Sequence, residues 1–151
     1  MAAKTYKSFR YKAKTTWSSA RRGVLSAAGK AEIIVGSPPE FKGEPGNWSP
    51  EELLVGSLNT CIMLTFLTLA QARGLTPAGY ESDGEGLLEN VEGKYRITEI
   101  TVRPRVVLAS EIELELARKI MDGVEAQCFI SNSITSRVKL TPEFVVAPKA
   151  L

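Results

Sequence analysis

The residues of this chain that could carry covalent chemistry are two cysteines, Cys61 and Cys128, in a sequence of 151 residues without histidine. The lack of histidine excludes Cys-His and Ser-His nucleophile pairs, and it excludes histidine metal ligands. Two cysteines alone cannot complete an ordinary tetrahedral zinc site within one chain. Any catalysis must therefore use Cys, Asp, Glu, Lys, Arg or Tyr.

Three interpretations of the two cysteines are open from the residues alone. They are two buried core residues, since cysteine is often buried. They form a structural disulfide, which a reducing cytosol disfavours. Or they form a reactive pair, whose nucleophile would be a thiolate. For an isolated pair of cysteines, burial is the usual explanation.

A helix over residues 49–73 is the element that must position Cys61. Ser49 is a suitable N-cap, Pro50 takes the first helical position, and Glu52 follows three residues after the serine. This pattern predicts a capping box, which gives Glu52 a structural role and leaves Glu51 without one.

Apolar side chains cover almost every side of this helix, which is typical of a helix buried in a core or in a membrane. Residues 53–70 carry no charge, and that length is close to what a bilayer needs. The run also contains Gly, Ser, Asn and Thr, and the rest of the chain has the pattern of strands and helices. We therefore expect no membrane span but a central helix wrapped by sheet.

The remaining elements are predicted from alternation, Gly and Pro positions and capping residues. Before the helix we expect an antiparallel meander with strands at 6–17, 24–28 and 31–35, a turn at 18–23 and a loop at 36–48. After it we expect a strand with a bulge, or a loop, at 80–89, and a strand at 95–108 with Pro104 at an edge or bulge. A second helix should begin at Ser110, with an apolar stripe at Ile112, Leu116, Ile120 and Val124. The final strand is expected at 138–146.

The charge of the chain is uneven. Residues 1–30 hold eight Lys or Arg and no acidic residue, whereas the remainder has a net charge of −6, from eleven basic and seventeen acidic residues. Such a start is found in nucleic-acid-binding arms. We prefer an exposed basic face of a β-hairpin, because a charged stripe alone is a weak signal, and we expect no nucleic-acid partner. No apolar segment of a signal peptide follows Lys4, Lys7 and Arg10, so we expect a cytoplasmic protein.

The segment SPEELLVGSLNTC, which ends at Cys61, and the segment CFISNS, which begins at Cys128, together resemble the OsmC/Ohr family of thiol-dependent hydroperoxide reductases. The resemblance covers most of the chain. It implies a single OsmC-like domain over 1–151 with an α+β fold, antiparallel sheets around a long buried central helix, and an intertwined homodimer.

The resemblance also implies the site. Cys61 corresponds to the peroxidatic nucleophile, and Cys128 to the cysteine that resolves it by disulfide formation. The family arginine corresponds to Arg21, or to the adjacent Arg22, and the family glutamate to Glu51. The implied reaction is the reduction of organic hydroperoxides to alcohols, with a dithiol, of lipoyl type for example, as reductant and with no metal or organic cofactor.

Elementary electrostatics agrees with these roles. Burial on an apolar helix should raise the pKa of Cys61, because it penalises the charged form. Without histidine, a guanidinium is the natural counter-charge, and a carboxylate such as Glu51 can orient it. Glu51 and Cys61 are about 15 Å apart along a straight helix, so two antiparallel helices in a C2 dimer would bring Glu51 of one chain towards Cys61 of the other.

One alternative function belongs to a different class. A non-catalytic protein of the OsmC fold could bind a small apolar ligand at the dimer interface. The two cysteines together with an arginine favour the enzyme.

Overall fold

The computed structural model describes residues 4–149, which fall into two units that divide between Pro50 and Glu51. Each unit is described by itself below. The prediction of a single domain over 1–151 stays a prediction.

The first unit is a three-stranded antiparallel sheet in the order β1-β2-β3, formed by Lys14–Ser19, Arg22–Ser26 and Ile33–Gly36. The predicted meander is therefore confirmed. Its first turn is tighter than the predicted 18–23, because Ala20 adopts a positive φ of 44° and reverses the chain within two residues. β2 therefore begins two residues before the predicted strand 24–28, whereas β3 begins two residues after the predicted start at residue 31.

The prediction of a first strand from residue 6 is wrong for its N-terminal half. Residues 4–13 have no regular secondary structure, and Tyr6, Phe9 and Tyr11 are 81%, 73% and 91% exposed. Aromatic residues favour a strand only where a neighbouring strand receives them. Within the described residues, the segment before β2 pairs with β2 only from Lys14 onward, so residues 4–13 have no partner strand there.

The predicted loop at 36–48 is confirmed, apart from one turn of 3₁₀ helix at Pro39–Phe41. The loop requires glycine at position 43, because a β-carbon on Gly43 would lie 1.6 Å from the carbonyl oxygen of Ser37. The loop ends in a single parallel bridge between Trp48 and Val35.

The predicted central helix, α1, spans Pro50–Ala72 and, apart from Pro50, belongs to the second unit. Gly74 ends it in the left-handed conformation with a φ of 73°. The backbone N–H of Leu75 then donates to the carbonyl oxygen of Ala70 at 2.9 Å, which satisfies one of the free carbonyls of the last turn.

A four-stranded sheet follows, with strands β4 to β7 at Gly79–Val91, Lys94–Leu108, Arg137–Leu140 and Glu143–Val146. The register of β4 against β5 shifts between Leu87 and Leu88, and the unpaired extra residue is Thr98 of β5, so the bulge lies opposite the predicted segment 80–89 and not within it. β5 is central, antiparallel to β4 but parallel to β6 and β7. The sheet is thus mixed, because the chain crosses over through helices between β5 and β6 and returns in the same direction.

Two prolines explain two errors in the prediction. Pro104 does not lie at a sheet edge, and the predicted strand 138–146 is two strands. β6 pairs with Glu99–Val102 and β7 with Arg105–Leu108, so Pro104 lies where β5 passes from one partner to the other. Pro142 lies in the two-residue gap between β6 and β7. Neither proline can donate to the ladder, and the pairing breaks beside both.

The crossover contains α2 (Leu114–Asp122) and α3 (Val124–Gln127). The predicted capping box of Ser110 and Glu113 is confirmed. The apolar stripe is confirmed at Ile120 and Val124, which are buried, and at Leu116, which packs against the core. It is not confirmed at Ile112, which is 91% exposed in the 3₁₀ turn before α2.

The core of the second unit lies between α1, the sheet and the crossover helices. Its fully buried members from α1 are Leu58, Ile62, Phe66 and Ala70, which share one face of the helix. Glycines let β4 approach this helix closely: a β-carbon on Gly86 would lie 2.7 Å from Val55 Cγ2.

The prediction that α1 is buried on all sides is confirmed for one face only. Leu64, on another side, is 54% exposed. By length and composition alone α1 would suffice to cross a membrane, a test that core helices of soluble proteins also pass. The buried face of α1 is consistent with a core helix and not with a membrane span.

Candidate active site

α1 positions Cys61 near its midpoint, beside the fully buried Leu58 and Ile62. The sulfur is therefore held at the border of the core, and the residue is partly exposed. Thr65 lies one helical turn further on, with its Oγ1 3.9 Å from Cys61 Sγ. This i, i+4 spacing brings two side chains together on one face of a helix.

The turn after α3 positions Cys128, which is fully buried. Its backbone N–H donates to the carbonyl oxygens of Val124 and Glu125, at 2.9 and 3.2 Å, and its own carbonyl accepts from Asn132 N–H at 3.1 Å. The N–H of Ser131 donates to Cys128 Sγ at 3.4 Å. The sulfur is thus fixed by hydrogen bonds on both sides of the turn.

The structure brings the two predicted cysteines together as free thiols. The Cys128 thiol and the backbone N–H groups of Phe129 and Ile130 lie near enough to Cys61 Sγ to influence its pKa.

The two sulfurs differ in acidity. Burial raises the pKa of Cys61, but the hydrogen bonds from the Cys128 thiol, Ile130 N–H, Thr65 and Phe129 N–H outweigh it and lower that pKa below its ordinary value. The expectation of a raised pKa at Cys61 is therefore wrong, because it counted burial and not the donors. Burial and the bond to Cys61 raise the pKa of Cys128 to about 11.

Glu51 lies in the first turn of α1. Its Oε2 is buried and has no hydrogen-bond partner among residues 4–149. Along the continuous helix it is about 15 Å from Cys61, so the structure does not bring the two together within one chain. A buried carboxylate oxygen without a donor is costly unless a cation or donor reaches it.

Arg21 lies in the first unit, in the turn between β1 and β2. Its Nη1 donates to the carbonyl oxygen of Phe41 at 2.6 Å, and its own carbonyl accepts from Ser37 N–H at 3.2 Å. Arg21, the adjacent Arg22 and Lys42 line a cavity of about 360 Å³. The turn and the following loop are thus tied together around a cationic cleft.

The backbone donors of Phe129 and Ile130 are the part of the site that sequence reasoning missed. The turn-prone pair Ser131-Asn132 indicated a turn after Cys128, but nothing in the residue types marks which way its N–H groups point. Thr65, four residues after Cys61, was a usable signal. Among residues 4–149, no three Cys, Asp or Glu side chains cluster closely enough to hold a metal ion.

A family model described as OsmC-like protein matches residues 43–143. The chain belongs to the OsmC-like family. The match includes both cysteines and Glu51, and it confirms the resemblance on which the site was predicted. Arg21 lies before the matched residues.

Relatives of this OsmC-like protein are found among curated sequences and solved structures. The uncharacterized protein YmaD of Bacillus subtilis (strain 168) is 29% identical over 134 residues, which are 86% of this chain and 89% of the relative. An OsmC-like protein of unknown function from Vibrio cholerae has a TM-score of 0.81 at 26% identity, over 88% of this chain and 98% of that one.

An organic hydroperoxide resistance protein from Elizabethkingia anophelis has a TM-score of 0.71 at 15% identity, over 92% of this chain and 99% of that one. At this identity the likeness shows the fold. The α+β architecture with sheets and a long central helix is therefore confirmed, and proteins named for organic hydroperoxide resistance share it.

Proposed function

We propose that this OsmC-like protein is a cysteine-based peroxidase that reduces organic hydroperoxides to alcohols. The observation that carries the proposal is the pair of free thiols whose mutual interaction lowers the pKa of Cys61 and raises the pKa of Cys128. A peroxide is attacked by a thiolate, and the donors around Cys61 favour that form.

The reaction has three steps. The Cys61 thiolate attacks the terminal peroxide oxygen, the O–O bond breaks, and Cys61 becomes a sulfenic acid while an alkoxide leaves, which takes a proton from water to become the alcohol. Cys128 then displaces the sulfenic oxygen, which leaves as water, and a Cys61-Cys128 disulfide forms. An external dithiol reduces the disulfide by thiol–disulfide exchange; the family likeness points to a lipoyl-type or other small dithiol.

Arg21 and Glu51 complete the proposed machinery. The family likeness assigns to Arg21, or to Arg22, a guanidinium that stabilises the Cys61 thiolate and the peroxide oxygen. The partnerless Oε2 of Glu51 supports a role in holding a cation, because a buried carboxylate oxygen needs such a partner.

We further propose that the protein works as a homodimer in the cytoplasm. Large apolar side chains remain exposed in both units, Trp17 at 75% in the first and Leu64 at 54% in the second, and exposed apolar surface marks interaction sites. Free thiols that must be regenerated by a dithiol suit a reducing compartment. Sedimentation equilibrium tests the dimer.

The proposal is tested by steady-state turnover of cumene hydroperoxide with dihydrolipoamide as reductant. Wild-type protein should consume both reactants in equal amounts and release cumyl alcohol. Cys61→Ser is the matched control and should be inactive. Binding of cumene hydroperoxide without turnover by the wild type would instead support the alternative of a non-catalytic protein with an apolar ligand site.

A further inference from the structure

Disulfide formation is the step of the proposed reaction that depends most on position, and this inference rests on that proposed function. A disulfide requires an S–S distance of about 2.0 Å and a narrow range of dihedral angles, so both sulfurs must be held where such a bond can form. Cys61 lies within the 23-residue helix α1, which fixes its backbone. The accuracy of the pair therefore depends on the segment that holds Cys128.

Cys128 has little support from its own helix. It follows α3, which spans only four residues, Val124–Gln127, and a helix of one turn is marginal without outside contacts. Cys128 itself has extended backbone angles, with a φ of −75° and a ψ of 117°, so the helix ends there. The last carbonyls of such a helix need hydrogen-bond donors from outside it.

Asn132 provides donors on both sides of Cys128. Its side-chain amide donates to the carbonyl oxygen of Ala126 in α3, with Nδ2 3.0 Å from that oxygen. Its backbone N–H donates to the carbonyl oxygen of Cys128 at 3.1 Å. One residue thus closes a ring from Ala126 to Asn132 that contains Cys128. Inside this ring the N–H of Ser131 donates to Cys128 Sγ at 3.4 Å, so the sulfur itself is held by the ring.

We propose that Asn132 is a positioning residue for the second step of the reaction: it holds Cys128 Sγ where this sulfur can displace the oxygen of the Cys61 sulfenic acid. Cys128 Sγ supplies the electron pair of the new S–S bond. The electron pair of the S–O bond leaves with the hydroxyl group, and the thiol proton joins that group to give water. Asn132 acts through Cys128 and takes no part in the first step, the attack of Cys61 on the peroxide.

The side chain of Asn132 is exposed, so its replacement leaves no cavity in the core. Asn132→Ala removes the amide. Asn132→Asp keeps its size but puts a carboxylate in its place, which cannot donate to Ala126 at neutral pH. Asn90→Ala is the matched control, because Asn90 Oδ1 accepts from the N–H of Gly93 at 3.0 Å in the exposed turn between β4 and β5. This variant also loses one side-chain hydrogen bond of an asparagine in a turn.

The first measurement uses glutathione redox buffers and needs no peroxide. The equilibrium constant between the two thiols and their disulfide in these buffers measures the effective concentration of one thiol at the other. Both Asn132 variants should lower this effective concentration by about tenfold or more, because a small misplacement of a reacting group has effects of that size. Asn90→Ala should match the wild type. An unchanged equilibrium in both Asn132 variants, or an equal loss in Asn90→Ala, would overturn the proposal.

The second measurement is a single turnover with cumene hydroperoxide, which separates the two steps. Sulfenic acid should form on Cys61 at the wild-type rate in every variant. Disulfide formation should slow by about tenfold or more in both Asn132 variants, and excess peroxide should then convert the sulfenic acid to sulfinic acid. Equal slowing of both steps would overturn the role of Asn132. A wild-type protein that forms the disulfide in glutathione buffer but that the peroxide does not oxidise would contradict the proposed function alone, since the first measurement does not depend on it.

Discussion

The hydrogen-bonding interaction between the Cys128 thiol and the Cys61 sulfur shifts the pKa values of the two groups in opposite directions. It lowers the pKa of Cys61 because it stabilises the thiolate. It raises the pKa of Cys128 because the bond is lost when that thiol ionises. Cys61 is therefore the sulfur that ionises first as the pH rises, which fits a nucleophile beside a resolving thiol.

The division of roles between the cysteines predicts different losses. Cys61→Ser should abolish peroxide turnover. Cys128→Ser should still form one sulfenic acid per chain in a single turnover, because the nucleophile remains. Trapping with dimedone and mass spectrometry measures this product. Wild-type turnover by Cys61→Ser would show that the nucleophile is assigned wrongly.

Adjacent glutamates at the start of α1 should differ in effect. Glu51→Ala should lower kcat/KM by about tenfold or more, equivalent to about 1.4 kcal/mol, because it removes the buried carboxylate oxygen that has no partner within the described chain. Glu52→Gln is the matched control and should be mild, since glutamine also serves in a capping box. Equal kinetic losses would contradict this division.

Replacement of the proposed active-site arginine should raise the pKa of Cys61, because a guanidinium would offset the burial of the thiolate. We expect the shift for Arg21→Lys and a smaller one for Arg22→Lys, since lysine lacks the planar fork. The pH dependence of alkylation in a Cys128→Ser background measures both. A shift only at Arg22 would move the assignment by one residue. No shift at either would mean that the backbone N–H groups of Phe129 and Ile130, and not an arginine, stabilise the Cys61 thiolate.

The hydroxyl of Thr65 should contribute modestly to the acidity of Cys61. Thr65→Val removes the contact at 3.9 Å and should raise that pKa by less than about one unit, since a neutral hydrogen bond is worth about 1 kcal/mol. Alkylation should accordingly begin at a higher pH. Thr68→Val is the control, because its hydroxyl donates to the Leu64 carbonyl on an exposed part of α1. A larger shift at Thr68 would show that helix distortion, not the hydroxyl, is responsible.

Close approach of α1 to β4 should make Gly86 sensitive to a single added carbon. Gly86→Ala should lower the free energy of unfolding by about 1–3 kcal/mol, as overpacking does, because the new β-carbon would lie 2.7 Å from Val55 Cγ2. Gly79→Ala is the control, with its nearest contact at 3.4 Å to Val107. In urea denaturation, Val55→Ala should restore part of the loss at Gly86. Equal effects at both glycines would exclude the contact as the cause.

Local signals predicted the helix that carries Cys61 and several of the strands. The Ser49-Pro50 start and Gly74 fixed the bounds of α1 to within one residue, and β-branched alternation located β5. The direction of β6 and β7 was not predictable in this way. It depends on where the crossover returns the chain, and residues of one segment do not contain that information.

Within the site, the two cysteines were predictable, whereas their relative acidity was not. Residue types reveal burial on an apolar helix, which raises a thiol pKa. The opposing donors are the backbone N–H groups of Phe129 and Ile130, and every residue other than proline has such a group. Only the fold of the turn after Cys128 decides which sulfur they reach.

The most direct test of the peroxidase is an anaerobic thiol titration before and after one equivalent of cumene hydroperoxide. Both cysteines are free, so the reduced chain should show two thiols. After the peroxide it should show none, with one equivalent of cumyl alcohol released and an intramolecular Cys61-Cys128 disulfide identified by peptide mass spectrometry. Two thiols per chain remaining, with the peroxide intact, would contradict the account.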